Sequence, residues 1–562
     1  MWTLPLVAIS GLLLVLVLQV AADPAAAPPT PAVVKIGNPG RFRIKSYPTP
    51  DDPVLKKLAG QSAYVTISTN EKPLVKVPQS FLGLSLDLND IEGIAHPDFI
   101  GIIKHLTEFN TGPMYMRVGA ESADRLVKPW PATVYKALAD LNKATGMQYI
   151  VGTNQHAEDA SLTASQVTRS LKLLPQGSIV SFAVGNEPDM YSLPPRAGLP
   201  GISLPKPNNW LSTRWIPVSR MVYKAGFQAA GNKRLFGGPD WSDSTMEASK
   251  LQWWLDGVKD YLNMVTVHHY GGNILKDTSI QALLNDARMV KKISNLKSLV
   301  KVCTANGGLP LRVTEAATLS YGGVMGISDT AGAALWALDT ALEVAFTGTA
   351  GIHFHQVLTR QSNANYNAIY YQADANRVRV RQPLYGYVML QQALAGGADV
   401  IGRAIAGDCK VWLLKGRAKG DLRAVVLNKA DGKECAANVQ LSADQLRRYA
   451  PSGDAQYMYA AAGLKDRWRI YYSDSFFDVW GSDRLRTPQT VAIPRYLTRD
   501  GKGKVTGGGF TVHLTSGTIA ALVTVPPATP ADQKAFDAAR AAPAAAAKPA
   551  PAAAPKPAPK QG

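Results

Sequence analysis

The sequence predicts an α/β fold, a (β/α)8 TIM barrel joined to a second, discontinuous antiparallel β-sandwich domain. Two observations predict it. From Phe81 to Ala395, apolar strand-like runs alternate with helical patterns, the arrangement that yields a parallel sheet wrapped by helices. After about Gly396 the pattern changes to short strands broken by Gly and charged turns, as in a sandwich.

The chain has 562 residues, 46% hydrophobic and 18% charged, enough for more than one core. The run Leu4–Val20 is almost free of polar residues and ends in Val20-Ala21-Ala22 before Asp23, so residues 1–22 read as a signal peptide and the protein as secreted, periplasmic or extracellular. No Lys or Arg precedes the run, which leaves an uncleaved membrane anchor as the alternative; once the signal is removed, no stable membrane insertion is expected. Three cysteines are too few for a disulfide scaffold, and whether Cys409 and Cys435 pair stays open. A formal net charge of +18 suits an anionic partner such as an acidic polysaccharide, or solubility alone. No nucleic-acid motif accompanies the charge, so no nucleic-acid partner is expected; the oligomeric state is open.

Residues 23–32 form an Ala/Pro linker. Residues 33–80 contain strands such as Ala63–Ser68, expected to join the later β domain. The barrel spans 81–396, with strands at Phe81–Leu88, Met114–Val118, Gln148–Thr153, Ile179–Gly185, Arg234–Gly238, Met264–His268, Leu311–Thr314 and Gly351–Gln356. The sandwich spans 397–527. An Ala/Pro/Lys tail, 528–562, is expected to be disordered apart from a short helix near Ala531–Ala541.

The fourth barrel strand runs into Gly185-Asn186-Glu187-Pro188, which places Glu187 at a strand's C-terminal end, the face where barrels present chemistry. Taken alone, Asn-Glu-Pro is no more than a polar turn. Its meaning changes because strand seven also leads into a carboxylate, Glu315. Two carboxylates across one barrel mouth are what glycoside hydrolysis requires, and a separation of roughly 5 to 5.5 Å goes with retention of configuration. Glu187 is then the acid/base, its proton affinity expected to be raised by Glu315 and partial burial. Asn186 is placed to bind the sugar's 2-hydroxyl.

The residues around this pair carry a resemblance. The stretches Ser80–Asn89, Met116-Arg117-Val118-Gly119, Gly185-Asn186-Glu187-Pro188-Asp189, Val267-His268-His269-Tyr270 and Glu315 followed by Tyr321-Gly322-Gly323 span the barrel in order. Together they resemble glycoside hydrolase family 79, the heparanase and β-glucuronidase family within clan A of the retaining glycosidases. The resemblance implies that Glu187 is the acid/base and Glu315 the nucleophile. It also implies that Tyr321, the amides of Gly322 and Gly323, and Tyr366 hold a glucuronate carboxylate, that Asp87 and Asn89 bind sugar hydroxyls, and that Tyr270 orients Glu315.

Of the adjacent histidines, His269 is favoured for the cleft and His268 for the barrel wall. His353 and His355 share a face of strand eight and either line the pocket or sit in the core. No His and carboxylate set has convincing metal spacing, and no metal or cofactor is expected. The basic and aromatic segment Lys465–Tyr472 reads as an exposed strand of the β domain or a polyanion contact.

The expected function is therefore a secreted retaining hydrolase of β-glucuronides, acting on a glucuronic-acid-containing glycan or glucuronide. Exo action is favoured because the Pro-rich insert Ser192–Trp215 is long enough to wall off one side of the cleft. The alternatives are an endo-acting heparanase-like enzyme, another clan A glycosidase such as an arabinofuranosidase or xylosidase, and a non-catalytic polysaccharide-binding barrel.

Overall fold

In the computed structural model, the described residues are 43–69, 72–110, 112–193, 205–276, 279–359, 364–477 and 488–541. The signal run, the 23–32 linker and the end of the tail lie outside them. Eight parallel strand positions form the barrel: β1 (Leu82–Asp87), β2 (Tyr115–Gly119), β3 (Gln148–Thr153), β4 (Ile179–Val184), β5, β6 (Val265–Asn273), β7 (Leu311–Ser320) and β8 (Gly351–His355). The fifth is broken into Phe236–Gly237 and Pro239–Trp241, on either side of a cis Gly238–Pro239 bond. One piece pairs with β4 and the other with β6, so nine hydrogen-bonded segments form an almost closed sheet.

The strands are buried because helices cover them, which is why they read as continuous apolar runs. The helix Ala331–Phe346 is buried nearly all round, since it packs against barrel strands on one side and β-domain strands on the other.

The second domain contains two sheets. The larger includes Val75–Val77, Ala398–Ala406, Cys409–Gly416, Leu422–Asn428 and Thr518–Val525; the smaller includes Ile44–Lys45, Tyr64–Ser68, Cys435–Ser442 and Val505–Leu514. Chain segments before the barrel thus pair with strands after it: Ile44 lies opposite Leu514, Val65 opposite Ala437 and Val77 opposite Ala398. The Tyr64–Ser68 pairing is parallel, a departure from the antiparallel rule of the rest. Val65, Ile67, Val411, Val426, Val439 and Val512 fill the space between the sheets. Cys409 and Cys435 form a disulfide that ties one sheet to the other. A helix, Pro530–Ala541, follows the last strand. Among the described residues, no helix is long and apolar enough to cross a membrane.

Candidate active site

The two glutamates reach the barrel mouth by different routes. Glu187 follows β4 through Gly185 and Asn186 and takes a left-handed backbone conformation (φ 49°), which is unfavourable for a residue with a Cβ. Its amide donates to the carbonyl of Asp240 at 2.9 Å, and Asp240 is itself left-handed (φ 51°), so each strained residue is held by the other. Glu315 lies midway along β7 rather than just beyond its end as expected. The β6–β7 ladder continues past the barrel rim to Asn273 and Ser320, which lengthens both strands. A carboxylate oxygen of Glu187, a carboxylate oxygen of Glu315 and a ring nitrogen of His268 all lie within 4.8 Å of one another.

Arg117 on β2 organises the floor of this site. Its Nε donates to Asp240 Oδ2 (3.0 Å), Nη1 to Glu315 Oε2 (3.0 Å) and Ser85 Oγ (3.3 Å), and Nη2 to Asn186 Oδ1 (2.6 Å). A planar guanidinium can serve these directions at once, which an ammonium cannot. Tyr270 donates to the other oxygen of Glu315. Burial opposes charge on Glu315, but His355 at 3.8 Å, His268 and Arg117 outweigh it and hold the carboxyl down at about 2, so it stays ionised.

The two neighbouring histidines occupy the opposite places from those expected. His268 is the site residue: its Nδ1 lies 2.9 Å from Glu187 Oε1, and its Nε2 is 3.7 Å from Asp240 Oδ1. Burial disfavours its charge, yet Glu315, Asp240 and Glu187 together raise it to about 10, so the ring is an imidazolium. His269 is instead packed away from the cleft, 1% exposed, with Nδ1 2.9 Å from Ser244 Oγ; burial and nearby Lys292 keep it neutral, at about 3. The cause is register. Relative to β6, the pairing skips Asp240 on one side and Thr314 on the other, two bulges whose side chains meet at 2.6 Å inside the barrel. Alternation then sends His268 and Tyr270 to the same inner face and His269 outward. The Glu187, His268 and Glu315 atoms have a spacing a cation would fit, but an imidazolium has no lone pair for one.

Asn186 is fixed twice, by Arg117 and through its amide, which donates to Asp124 Oδ2 at 2.7 Å. Asp124 also accepts from the amides of Gln155 and His156 and from Tyr191 Oη. Burial pushes its carboxyl up to about 6 despite these donors. Asp87 ends β1 and accepts from the Ser122 amide at 2.9 Å. Asn89 is exposed on the 3-10 turn Leu88–Asp90, and among the described residues it has no hydrogen bond into the network. On strand eight, His355 lies beside Glu315, whereas His353 is a core group accepting from Arg312 Nε at 3.0 Å.

Tyr321, Gly322 and Gly323 form a turn with three successive left-handed residues. Asn365 fastens it, donating to the carbonyls of Gly322 (2.6 Å) and Gly323 (3.2 Å), so the turn abuts the loop bearing Tyr366. A Cβ at Gly323 would come within 2.6 Å of Ser328 Oγ and 3.1 Å of the Tyr366 amide, which explains the glycine. Tyr366 is 7% exposed and neighbours the rings of Tyr270 and His355. In the Ser192–Trp215 insert, residues 194–204 lie outside the described set. Trp210 and Trp215 are buried, so they anchor the insert instead of lining the cleft.

With this geometry in hand, similarity to known proteins can be weighed. No family model matches the chain. A β-glucuronidase from Aspergillus niger is 24% identical over 405 residues, covering 64% of this chain and 72% of that protein. The chain is a homologue of a fungal β-glucuronidase. A 4-O-α-L-rhamnosyl-β-D-glucuronidase from Fusarium oxysporum 12S superposes with a TM-score of 0.66 at 16% identity, covering 82% of this chain and 100% of that one. A family 51 α-L-arabinofuranosidase from Bifidobacterium longum gives 0.57 at 12% identity, covering 82% and 99%. These likenesses establish the fold of this homologue as a glycosidase-type TIM barrel with a second sheet domain.

Three residues central to the site have no assigned role in the sequence reading: Arg117, Asp240 and His268. Arg117 is the only cation in its strand, Tyr115–Gly119, and a buried arginine on a central strand needs carboxylate partners, which is a usable signal. Asp240 and His268 depend on the bulges, which leave no trace in hydrophobic pattern.

Proposed function

We propose that the chain is an exported retaining β-glucuronidase that removes terminal glucuronic acid through a covalent glycosyl-enzyme. The observation that carries this reading is the Glu187–Glu315 pair, two carboxylates in approach while differently partnered. Glu315 is ionised and clamped by Arg117 and Tyr270, with no proton to give, which suits a nucleophile. Glu187 faces His268, whose Nδ1 lies 2.9 Å from Oε1, and as the other member of the pair it takes the acid/base role. Homology to a β-glucuronidase supports the substrate class.

In the first step Glu315 attacks the anomeric carbon, the glycosidic C–O bond breaks, and Glu187 delivers its proton to the leaving oxygen. In the second, Glu187 takes a proton from water, whose oxygen displaces Glu315 from the anomeric carbon and restores both groups. Asn186, its side-chain oxygen occupied by Arg117 and its backbone N–H by Asp124, has its side-chain Nδ2 to donate to the 2-hydroxyl. Tyr321, the amides of Gly322 and Gly323, and Tyr366 would take the glucuronate carboxylate, and Asp87 the ring hydroxyls. His268 is a positioning residue in this scheme and replaces His269. Export is supported by the Leu4–Val20 run and by a disulfide, which persists in oxidising compartments.

A mechanism-based probe tests the scheme. A 2-fluoro-glucuronyl fluoride should add one sugar mass to the intact chain, mapping to Glu315, and should not label Glu315→Gln. Labelling at another residue, or full turnover by the Gln variant, would contradict it.

A further inference from the structure

Glu187 sits in a turn, Asn186–Tyr191, whose two ends hang on one buried carboxylate. Asp124 Oδ2 accepts from the Asn186 amide at 2.7 Å, just before Glu187, and from Tyr191 Oη at 2.6 Å, just after the 3-10 turn Pro188–Met190. Its other oxygen, Oδ1, accepts from the amides of Gln155 (2.8 Å) and His156 (3.1 Å), where the chain leaves β3. Asp124 itself lies near the end of the short helix Ala120–Arg125, which follows β2 through two left-handed residues, Gly119 (φ 126°) and Ala120 (φ 37°). Three neighbouring strand ends, those of β2, β3 and β4, therefore meet at one side chain.

Four donors fill the capacity of one carboxylate, and an asparagine in the same place would turn its NH2 against two of them. Among the described residues Asp124 makes no ion pair, so only these N–H and O–H groups offset the burial of its charge. The packing leaves the turn little freedom besides. A Cβ at Gly185, which is left-handed at φ 82°, would lie 2.6 Å from Gln155 Oε1 and 2.7 Å from Tyr191 Oη. The far side of the turn is fastened to β5, by the Glu187 amide on the Asp240 carbonyl and by Ser242, whose amide and hydroxyl donate to Asp189. A left-handed residue with a Cβ, as Glu187 is, persists only where its surroundings over-determine it. Asp124 supplies the hold on the near side, at the residue before the strained one.

We propose that Asp124 is a positioning residue for the acid/base: it fixes the Asn186–Tyr191 turn so that the Glu187 carboxyl reaches the leaving oxygen. This rests on the reading of Glu187 as acid/base and adds to it the group that sets its place. Asp124 acts through the Asn186 peptide and exchanges no proton with the sugar. The step it serves is proton delivery. A poor leaving group such as phenolate needs that proton as the glycosidic bond breaks, whereas 2,4-dinitrophenolate departs without it. Loosening the turn therefore harms the two substrates unequally, while a loss of folded protein harms them alike.

The test is kcat/KM for phenyl and 2,4-dinitrophenyl β-glucuronide, measured on one preparation of the full chain, since their ratio does not depend on how much of the protein is folded. In Asp124→Asn, kcat/KM should fall on the order of a hundredfold on the phenyl substrate and about tenfold on the dinitrophenyl one, the shared part coming from the slackened Asn186. Tyr191→Phe removes one of the four donors and keeps the ring. It should shift the ratio the same way by about threefold, and it decides the matter if Asp124→Asn does not fold. Equal losses on the two substrates in Asp124→Asn, or no loss, would overturn the proposal, as would an unchanged ratio in Tyr191→Phe. Glu187→Ala is read beside them and should show the largest split. No split in Glu187→Ala overturns the acid/base reading and the proposal with it, whereas a split there and none at Asp124 overturns the proposal alone.

Discussion

His268 shows how a single side chain redistributes charge in this site. Its ring is fully buried, yet it carries a proton because Glu315, Asp240 and Glu187 surround it. Its folded value, about 10, lies above the ordinary 6.5. The stabilisation is therefore fully present below about pH 6.5 and is lost as pH rises through 10. The stability difference between the parent and His268→Gln should be largest near pH 6, on the order of a few kcal/mol, and should shrink towards pH 10. Urea unfolding at a series of pH values measures it; a difference that grows with pH would contradict a charged His268. Both glutamates were legible in the sequence because each adjoins an apolar strand core. The choice between His268 and His269 was not, because alternation fixes only that they face opposite ways, and the bulges at Asp240 and Thr314 decide which faces in.

At the scale of elements, seven of the eight barrel strands announce themselves as buried runs; the structure keeps five of them within a residue or two, and carries the sixth and seventh on to Asn273 and Ser320. The fifth is harder to read: Leu-Phe-Gly-Gly-Pro-Asp-Trp carries the breaking residues inside the strand, and the sheet accepts them by splitting it in two. In the β domain, Asp399, Gly402, Arg403 and Asp454 blur the alternation of Ala398–Ala406 and Ser452–Ala460, so hydrophobic pattern alone does not mark these two strands. The Tyr321–Gly323 turn is the element on which substrate affinity should depend. Gly323→Ala forces a Cβ against Ser328 and the Tyr366 loop at a left-handed position, at a cost of about 1–3 kcal/mol. Steady-state kinetics on an aryl β-glucuronide should show KM raised about tenfold with kcat within about twofold. An unchanged KM would remove the turn from the binding site.

For the whole molecule, the barrel and the sandwich are joined by a buried cluster of charges. Asp339 and Glu343, one turn apart on the helix Ala331–Phe346, meet Lys410 at 2.7 and 2.5 Å, and Lys429 reaches Asp339 at 2.5 Å. Asp286 and Arg403 complete it, with Arg403 at 2.6 Å from Glu343. Removing one cation strands carboxylates in a dry interface. Lys410→Met should cost about 3–5 kcal/mol in chemical denaturation, with barrel and sandwich still unfolding together, and a loss below about 1 kcal/mol would show the cluster to be energetically idle. The shared ladders at Val65 and Val77 argue for the same unity, since the chain must pass through the sandwich before the barrel can begin. All of this scaffolding serves the opposed pair Glu187 and Glu315, and its stereochemical consequence can be watched directly. Proton NMR during hydrolysis of a glucuronate-terminated oligosaccharide should show free β-glucuronic acid first, with the α anomer appearing only as mutarotation proceeds. First release of the α anomer, or of larger fragments with no free glucuronic acid, would contradict the account.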